Sequence, residues 1–282
     1  PAGPRYQDFN AFLQEKPEAK PFCFWFGSTD PHRKYDPGSG AGSGMDPAKV
    51  RVPAWLPDSD TVRRDLCDYY YEVQRFDREV GELLAALKEA GELDNTIVVM
   101  TGDNGCPFPR AKASLYDAGT HVPLAVHWPR AFKGGRTVED FVSLSDLAPT
   151  FLEAAGLKPP AEMTGRSLMP TLQSGKSGRV ASSRTQVLTG MERHVPCRGP
   201  NRVGYPMRAL RTHDFLYIRN FEPDRWPAGD PNGFETAGAQ PFTYEQLVDR
   251  TQHAFADIDA GPPKAWVGYQ REGPPDAHLY RL

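Results

Sequence analysis

The feature that most restricts the fold is a long apolar repeat, bracketed on both sides by short apolar runs. From Asp58 onward, Val62, Leu66, Tyr69, Val73, Phe76, Val80, Leu83, Leu84 and Leu87 recur at intervals of three and four, which gathers them on one face of an α-helix. Asp58 to Asp60 offers an N-cap and Gly91 a C-terminal stop. A stripe this long needs a sheet or another helix to cover it, and the flanking runs favour a sheet. Pro21 to Gly27, PFCFWFG, is continuous, too short for a stable helix, and reads as a fully buried strand. Thr96 to Met100, TIVVM, is the second strand, entered through Glu92 to Asn95. The order strand, helix, strand is the unit of an α/β fold with a mostly parallel central sheet flanked by helices.

Weaker signals complete the outline. Gly38 to Met45, GSGAGSGM, reads as a mobile loop by composition. Pro123 to Trp128 is a further strand, and Ser145 to Ala155 a short helix capped by Ser145 or Asp146 and ended by Gly156. Beyond Gly175 the texture turns to Arg, Pro and Gly, with strand-like pieces at Gln186 to Thr189, Met207 to Arg211 and Phe215 to Ile218, the last two joined by a turn at Thr212 to Asp214. Two units are expected: residues 1–175 as part of an α/β domain, and 176–282 as a smaller antiparallel subdomain. The terminal His278 to Leu282 reads as a strand cut short, so the chain is expected to be a fragment.

Charge narrows the partners. Lys and Arg number 33 against 36 Asp and Glu, a net charge of −3, so nucleic acid and anionic membrane are not attracted globally and any anion site must be local. No apolar run approaches the ~20 residues of a membrane-spanning helix. The four cysteines, Cys23, Cys67, Cys106 and Cys197, lack paired metal spacing and read as free, with one disulfide open.

Polar clusters follow both central strands: Asp30-Pro31-His32 behind the first and Asp103-Asn104-Gly105 behind the second. In a parallel sheet both reach the carboxyl edge, where α/β proteins build sites. Asp103 and Asn104 offer hard oxygen donors for Ca²⁺ or Mg²⁺, although two ligands fall short of the six or more such ions take, and a simple Asx turn accounts for the tripeptide equally. His32 suits proton transfer near neutrality, and Lys112 suits an anion if its loop folds back; each is also an ordinary surface residue type. Ser174-Gly175-Lys176-Ser177 mimics the end of a phosphate-binding loop, but Pro170 stands where the glycine is needed. Cys106 to Arg110 reads as a rigid Pro-bounded turn rather than a reactive thiol.

Together, these stretches resemble the sulfatases of the alkaline-phosphatase superfamily, and most closely the sulfamidase branch. The matching segments are Pro21-Phe22 through Asp30-Pro31-His32-Arg33; Thr101 to Pro109 with Lys112 to Pro123, KASLYDAGTHVP; Asp146 to Pro170; and Tyr205-Pro206-Met207-Arg208. The resemblance implies an incomplete alkaline-phosphatase-like fold, a divalent cation (Ca²⁺, or Mg²⁺) on Asp103 and Asn104, Lys112 on a sulfate oxygen, and His32 as general acid. It also implies His194 and Arg208 as substrate contacts, a sulfated saccharide as substrate, and a periplasmic, secreted or lysosomal setting. The family's formylglycine motif, C/S-x-P-x-R, does not occur in these 282 residues, since Cys106 is followed by Phe at the position that needs Pro. Thr29 stands where the family's first histidine of H-x-P-H is found. The chain is therefore expected to be the C-terminal portion of a sulfatase, inactive alone. Two other readings remain: a phosphate-ester hydrolase of the same superfamily, or a silent fold that binds sulfated glycan through Arg193, His194, Arg198, Arg202 and Arg208.

Overall fold

The protein is described here by a computed structural model covering residues 4–17, 20–193, 204–225 and 277–281. Helix α1 (Phe9–Glu15) starts at Asp8, whose carboxylate accepts from the Ala11 N–H at 2.8 Å. It turns Phe9 and Phe12 inward. Residues 20–27 then run alongside it in extended form: Phe22 and Phe24 pack on Phe9 and Phe12, while Cys23 and Trp25 face outward. This corrects the expectation of a fully buried strand. Trp25 is 90% exposed, and among the described residues the segment has no strand partner, so its alternation buries only one side.

The Gly-rich stretch is not a loose loop either. It forms a short helix α2 (Ser39–Gly42) docked on α3 (Asp60–Glu89), the long helix. The reason is backbone approach. A Cβ on Gly40 would fall 2.7 Å from the Asp68 nitrogen and closer still to the Cys67 carbonyl, so only glycine lets the two segments touch. Asp68 then accepts from the Gly38 N–H at 2.9 Å and the Gly40 N–H at 2.8 Å, satisfying amides that open a helix.

Helix α3 spans 30 residues, about 45 Å at 1.5 Å per residue. Ser59, within the anticipated capping cluster, accepts from the Val62 N–H, and Gly91 at φ 71° ends the helix. Its two halves serve different cores. Val62 and Leu66 pack with Leu56 and Phe108, whereas Leu87 joins Phe9 and Phe12. Strand β1 (Val98–Thr101) follows; then helix α4 (Asp117–Thr120) and strand β2 (Leu124–His127), which pairs with β1 antiparallel, Val98 opposite His127. The mostly parallel sheet is thus not seen as such: among the described residues the named strands pair antiparallel, because β1 returns through a compact loop onto β2.

A 3₁₀ turn at Leu144–Asp146 leads into α5 (Leu147–Ala154), ended by Gly156 at φ 75°. Of the two expected caps, Asp146 rather than Ser145 is the N-cap residue of α5, though without a side-chain cap bond there; the turn ahead of the helix is capped by Ser143 in a reciprocal box with Asp146. Asp146 also receives Arg184 at 2.7 Å and the Arg166 N–H at 2.7 Å. After α6 (Met169–Gln173), strands β3 (Gln186–Met191), β4 (Met207–Thr212), β5 (Phe215–Asn220) and β6 (Ala277–Arg281) form an antiparallel sheet in that order. Ala209, Leu216 and Ile218 of this sheet bury Leu115, and Arg211 grips Asp117 of α4 at 2.9 and 3.0 Å. The sheet therefore braces the segment just beyond Lys112.

Candidate active site

The loop after β1 is shaped by two glycines. Gly105 donates to the Gly119 carbonyl at 3.0 Å, and a Cβ at either position would strike backbone. This holds the Asp103-Asn104-Gly105 turn flat against α4, with Asp103 and Asn104 exposed at the end of β1. Beyond it, Phe108 donates to the Cys106 carbonyl at 2.7 Å and Lys112 donates its N–H to the same carbonyl at 3.0 Å. The chain closes into a knot around buried Phe108. Arg110 (φ 62°) and Ala113 (φ 61°) both adopt left-handed backbone, at about 1–2 kcal/mol each for residues with a Cβ. Lys112 lies between them, so its direction is set by backbone that the packing must hold. Burial pushes the Cys106 thiol up, which agrees with its reading as part of a turn rather than a nucleophile.

The turn delivers Lys112 to His32. Lys112 Nζ lies 3.2 Å from His32 Nε2, across 80 residues of sequence. The other ring nitrogen, Nδ1, is 2.6 Å from the Arg33 carbonyl oxygen. A carbonyl only accepts, so Nδ1 carries the proton, leaving Nε2 to face the lysine. The two residues do converge, but not from neighbouring parallel strands. Contacts to α3 bring them together: Arg33 forks onto Asp65 at 2.8 and 2.7 Å and reaches the Pro107 carbonyl at 3.3 Å.

The apolar period of α3 hid the residues that matter most here. Asp65, Asp68 and Glu72 are buried on the same side of the helix, each answering a group on the 30–40 segment. Asp65 holds Arg33, Asp68 caps α2, and Glu72 sits by Asp30 with Arg75 bridging the two carboxylates at 3.2 and 3.0 Å. Burial, and then the neighbouring Asp30, push Glu72 up to about 7. A sequence signal did exist: acids at positions i, i+3 and i+7 of an otherwise apolar helix face, shortly after a basic-acidic loop.

As for the remaining expected residues, Arg208 is exposed on β4, ion-paired with Glu192 and donating to the Met207 carbonyl at 2.8 Å. His194 lies outside the described residues, as do Cys197, Arg198 and Arg202. Asp103 and Asn104 fit a hard cation in donor type but supply two oxygens. Among the described residues no cluster of three His, Cys, Asp or Glu could hold a metal. No described helix is long and apolar enough to cross a membrane.

A lysine and a histidine in direct contact at 3.2 Å, with an exposed Asp-Asn pair earlier in the lysine's own loop, are the residue types that hydrolases of tetrahedral oxyanions use. Comparison makes the class specific. Residues 5–157, more than half of the chain, match the sulfatase family, and the chain belongs to that family. It is 31% identical to human N-sulphoglucosamine sulphohydrolase over 90% of its own length and 52% of that protein's. It is 38% identical to N-acetylglucosamine-6-O-sulfatase of Bacteroides thetaiotaomicron over 68% of its length and 36% of that protein's. A solved structure from a Bacteroides thetaiotaomicron locus for the metabolism of multiple glycosaminoglycans shares the fold, with a TM-score of 0.62 at 18% identity, covering 89% of this chain and 57% of that one. The chain spans about half the length, or less, of these curated relatives.

Proposed function

We propose that the protein carrying this chain hydrolyses a sulfate ester or sulfamate on a sugar, with a sulfated glucosamine unit as substrate. The observation that carries the reading is the 3.2 Å approach of Lys112 Nζ to His32 Nε2, which places an ammonium beside an imidazole, the two groups needed to hold a sulfuryl oxygen and to protonate a leaving group. Residues 1–175 form the catalytic part in this reading and 176–282 the bracing subdomain. Both curated relatives carry glucosamine in their names, which supports the sugar and leaves N-sulfate and 6-O-sulfate as the two positions to compare.

The roles follow from the geometry. Lys112 donates to a sulfuryl oxygen; its ammonium is already held 3.2 Å from His32 Nε2, so little reorganisation accompanies charge build-up. His32 keeps its Nδ1 proton on the Arg33 carbonyl and, in its doubly protonated imidazolium form, gives up the Nε2 proton to the departing oxygen or nitrogen, returning to the neutral Nδ1–H tautomer. Asp103 and Asn104 would hold a divalent cation, completed by ligands beyond this pair, that withdraws charge from the sulfuryl group when bound. The nucleophile, a formylglycine in this family, would come from outside these 282 residues. Arg208 and His194 would contact the saccharide. To test the reading, full-length protein is given glucosamine N-sulfate, glucosamine 6-sulfate and the matched 6-phosphate, and released anion is measured. Sulfate release from either sugar supports it; phosphate release alone would replace it with a phosphoesterase.

A further inference from the structure

We propose that Arg33 is a positioning residue, whose buried fork on Asp65 sets the separation of His32 from Lys112. The inference rests on the sulfatase reading for its kinetic arm only.

Arg33 is tied to α3, to the loop that carries Lys112 and to its own segment. Its NH1 and NH2 donate to the two Asp65 oxygens at 2.8 and 2.7 Å, fixing it to α3. Its Nε donates to the Pro107 carbonyl at 3.3 Å, and the guanidinium lies 5.0 Å from the centroid of the Phe108 ring. Those two residues belong to the knot that aims Lys112. On its own segment it stacks 4.5 Å from the Tyr35 ring, while its carbonyl oxygen receives His32 Nδ1. One residue therefore orients the imidazole through its backbone and the lysine loop through its side chain.

The burial is what makes the arrangement rigid. The side chains of Arg33 and Asp65 are 7% and 8% exposed, and a desolvated ion pair is a poor source of net stability compared with apolar packing. What the pair supplies is geometry: two parallel hydrogen bonds allow one orientation of a planar guanidinium, which an ammonium cannot reproduce. Arg63 gives the contrast. It too bridges several segments, binding Asp58 and the carbonyls of Pro47, Ala48 and Val50, but it touches neither His32 nor the Lys112 loop.

The test uses Arg33→Lys and Asp65→Asn, with Arg63→Lys as the structural control. In full-length protein, with rates expressed per folded molecule, the first two are expected to lower kcat at least tenfold while KM changes less than threefold. Arg63→Lys should leave both within twofold. In the 282-residue chain, ¹⁵N-detected imidazole spectra should show His32 as the Nδ1–H tautomer, and both site variants should give a mixture of tautomers while far-ultraviolet circular dichroism stays unchanged. Parent-like kcat together with a parent-like tautomer in both variants would overturn the proposal, as would a loss matched by Arg63→Lys. If the full-length protein shows no sulfatase activity, the sulfatase reading fails, and the tautomer measurement still decides the positioning role.

Discussion

Replacing Gly105 by Ala probes how the Asp-Asn-Gly turn is held. The added Cβ would lie 2.7 Å from Gly119 Cα and 2.9 Å from the Ala118 carbonyl carbon, and nearer still to the Ala118 oxygen. Every one of these atoms is backbone, so no side chain can swing away. The turn and α4 must part by several tenths of an ångström or more, and the Gly105 to Gly119 hydrogen bond at 3.0 Å stretches with them. Overpacking costs about 1–3 kcal/mol and a lost hydrogen bond about 1 kcal/mol, so the variant should lose about 2–4 kcal/mol. Urea unfolding of the 282-residue chain reads this as a midpoint lowered by roughly 1 M. Gly81 is the control: it lies inside α3 with nothing within 4 Å of a built Cβ, and Gly81→Ala should stabilise by about 1 kcal/mol. A Gly105→Ala midpoint equal to the parent's would refute the claim that close backbone contact fixes the turn.

Three further outcomes are expected. Glu72, raised from 4.5 to about 7, keeps its proton in the folded protein where the unfolded chain has released it; stability should therefore fall as pH rises from 4.5 to 7, and Glu72→Gln should flatten that slope in urea midpoints taken across the range. A parent-like slope in the variant would assign the effect elsewhere. Asp146→Ala leaves Arg184, 5% exposed, as a buried charge without its carboxylate, and should cost about 3–5 kcal/mol; a loss under about 1 kcal/mol would show that the carbonyls of Arg166 and Ser167 suffice. Calcium should bind the 282-residue chain no tighter than about 1 mM by calorimetry, because Asp103 and Asn104 provide two of the six or more oxygens required, and micromolar binding would mean that other ligands of this chain had been overlooked.

Local pattern made α3 legible, because its apolar residues recur over about seven turns and its ends carry Ser59 and Gly91. The strands β3 to β5 were visible too, β3 and β5 by their alternation and β4 as a short run before the turn at Thr212 to Asp214. Pairing was not. Pro21 to Gly27 has the composition of a central strand, yet strand identity depends on a neighbour whose position no local pattern encodes. Composition misled at Gly38 to Met45, where glycine reports close contact between Gly40 and α3 rather than looseness. The buried carboxylates Asp65, Asp68 and Glu72 escaped because an amphipathic reading counts acids as solvent-facing. His32 and Lys112 were legible as residue types, and their meeting was expected from a shared sheet edge, but it depends on Arg33 and the knot around Phe108, long-range contacts that no local pattern encodes.

The central claim is that Lys112, aimed at His32, holds the sulfuryl group. Its most direct test is the rate of sulfate release by full-length protein carrying Lys112→Ala, set beside Arg110→Ala. Arg110 is exposed two residues earlier in the same left-handed turn, so it shares the sequence neighbourhood without facing His32. Removing one preorganised donor from a site of this kind lowers the rate by roughly 10²-fold or more, and that loss is predicted for Lys112→Ala, with Arg110→Ala within about threefold of the parent. Equal losses, or a larger one at Arg110, would contradict the account.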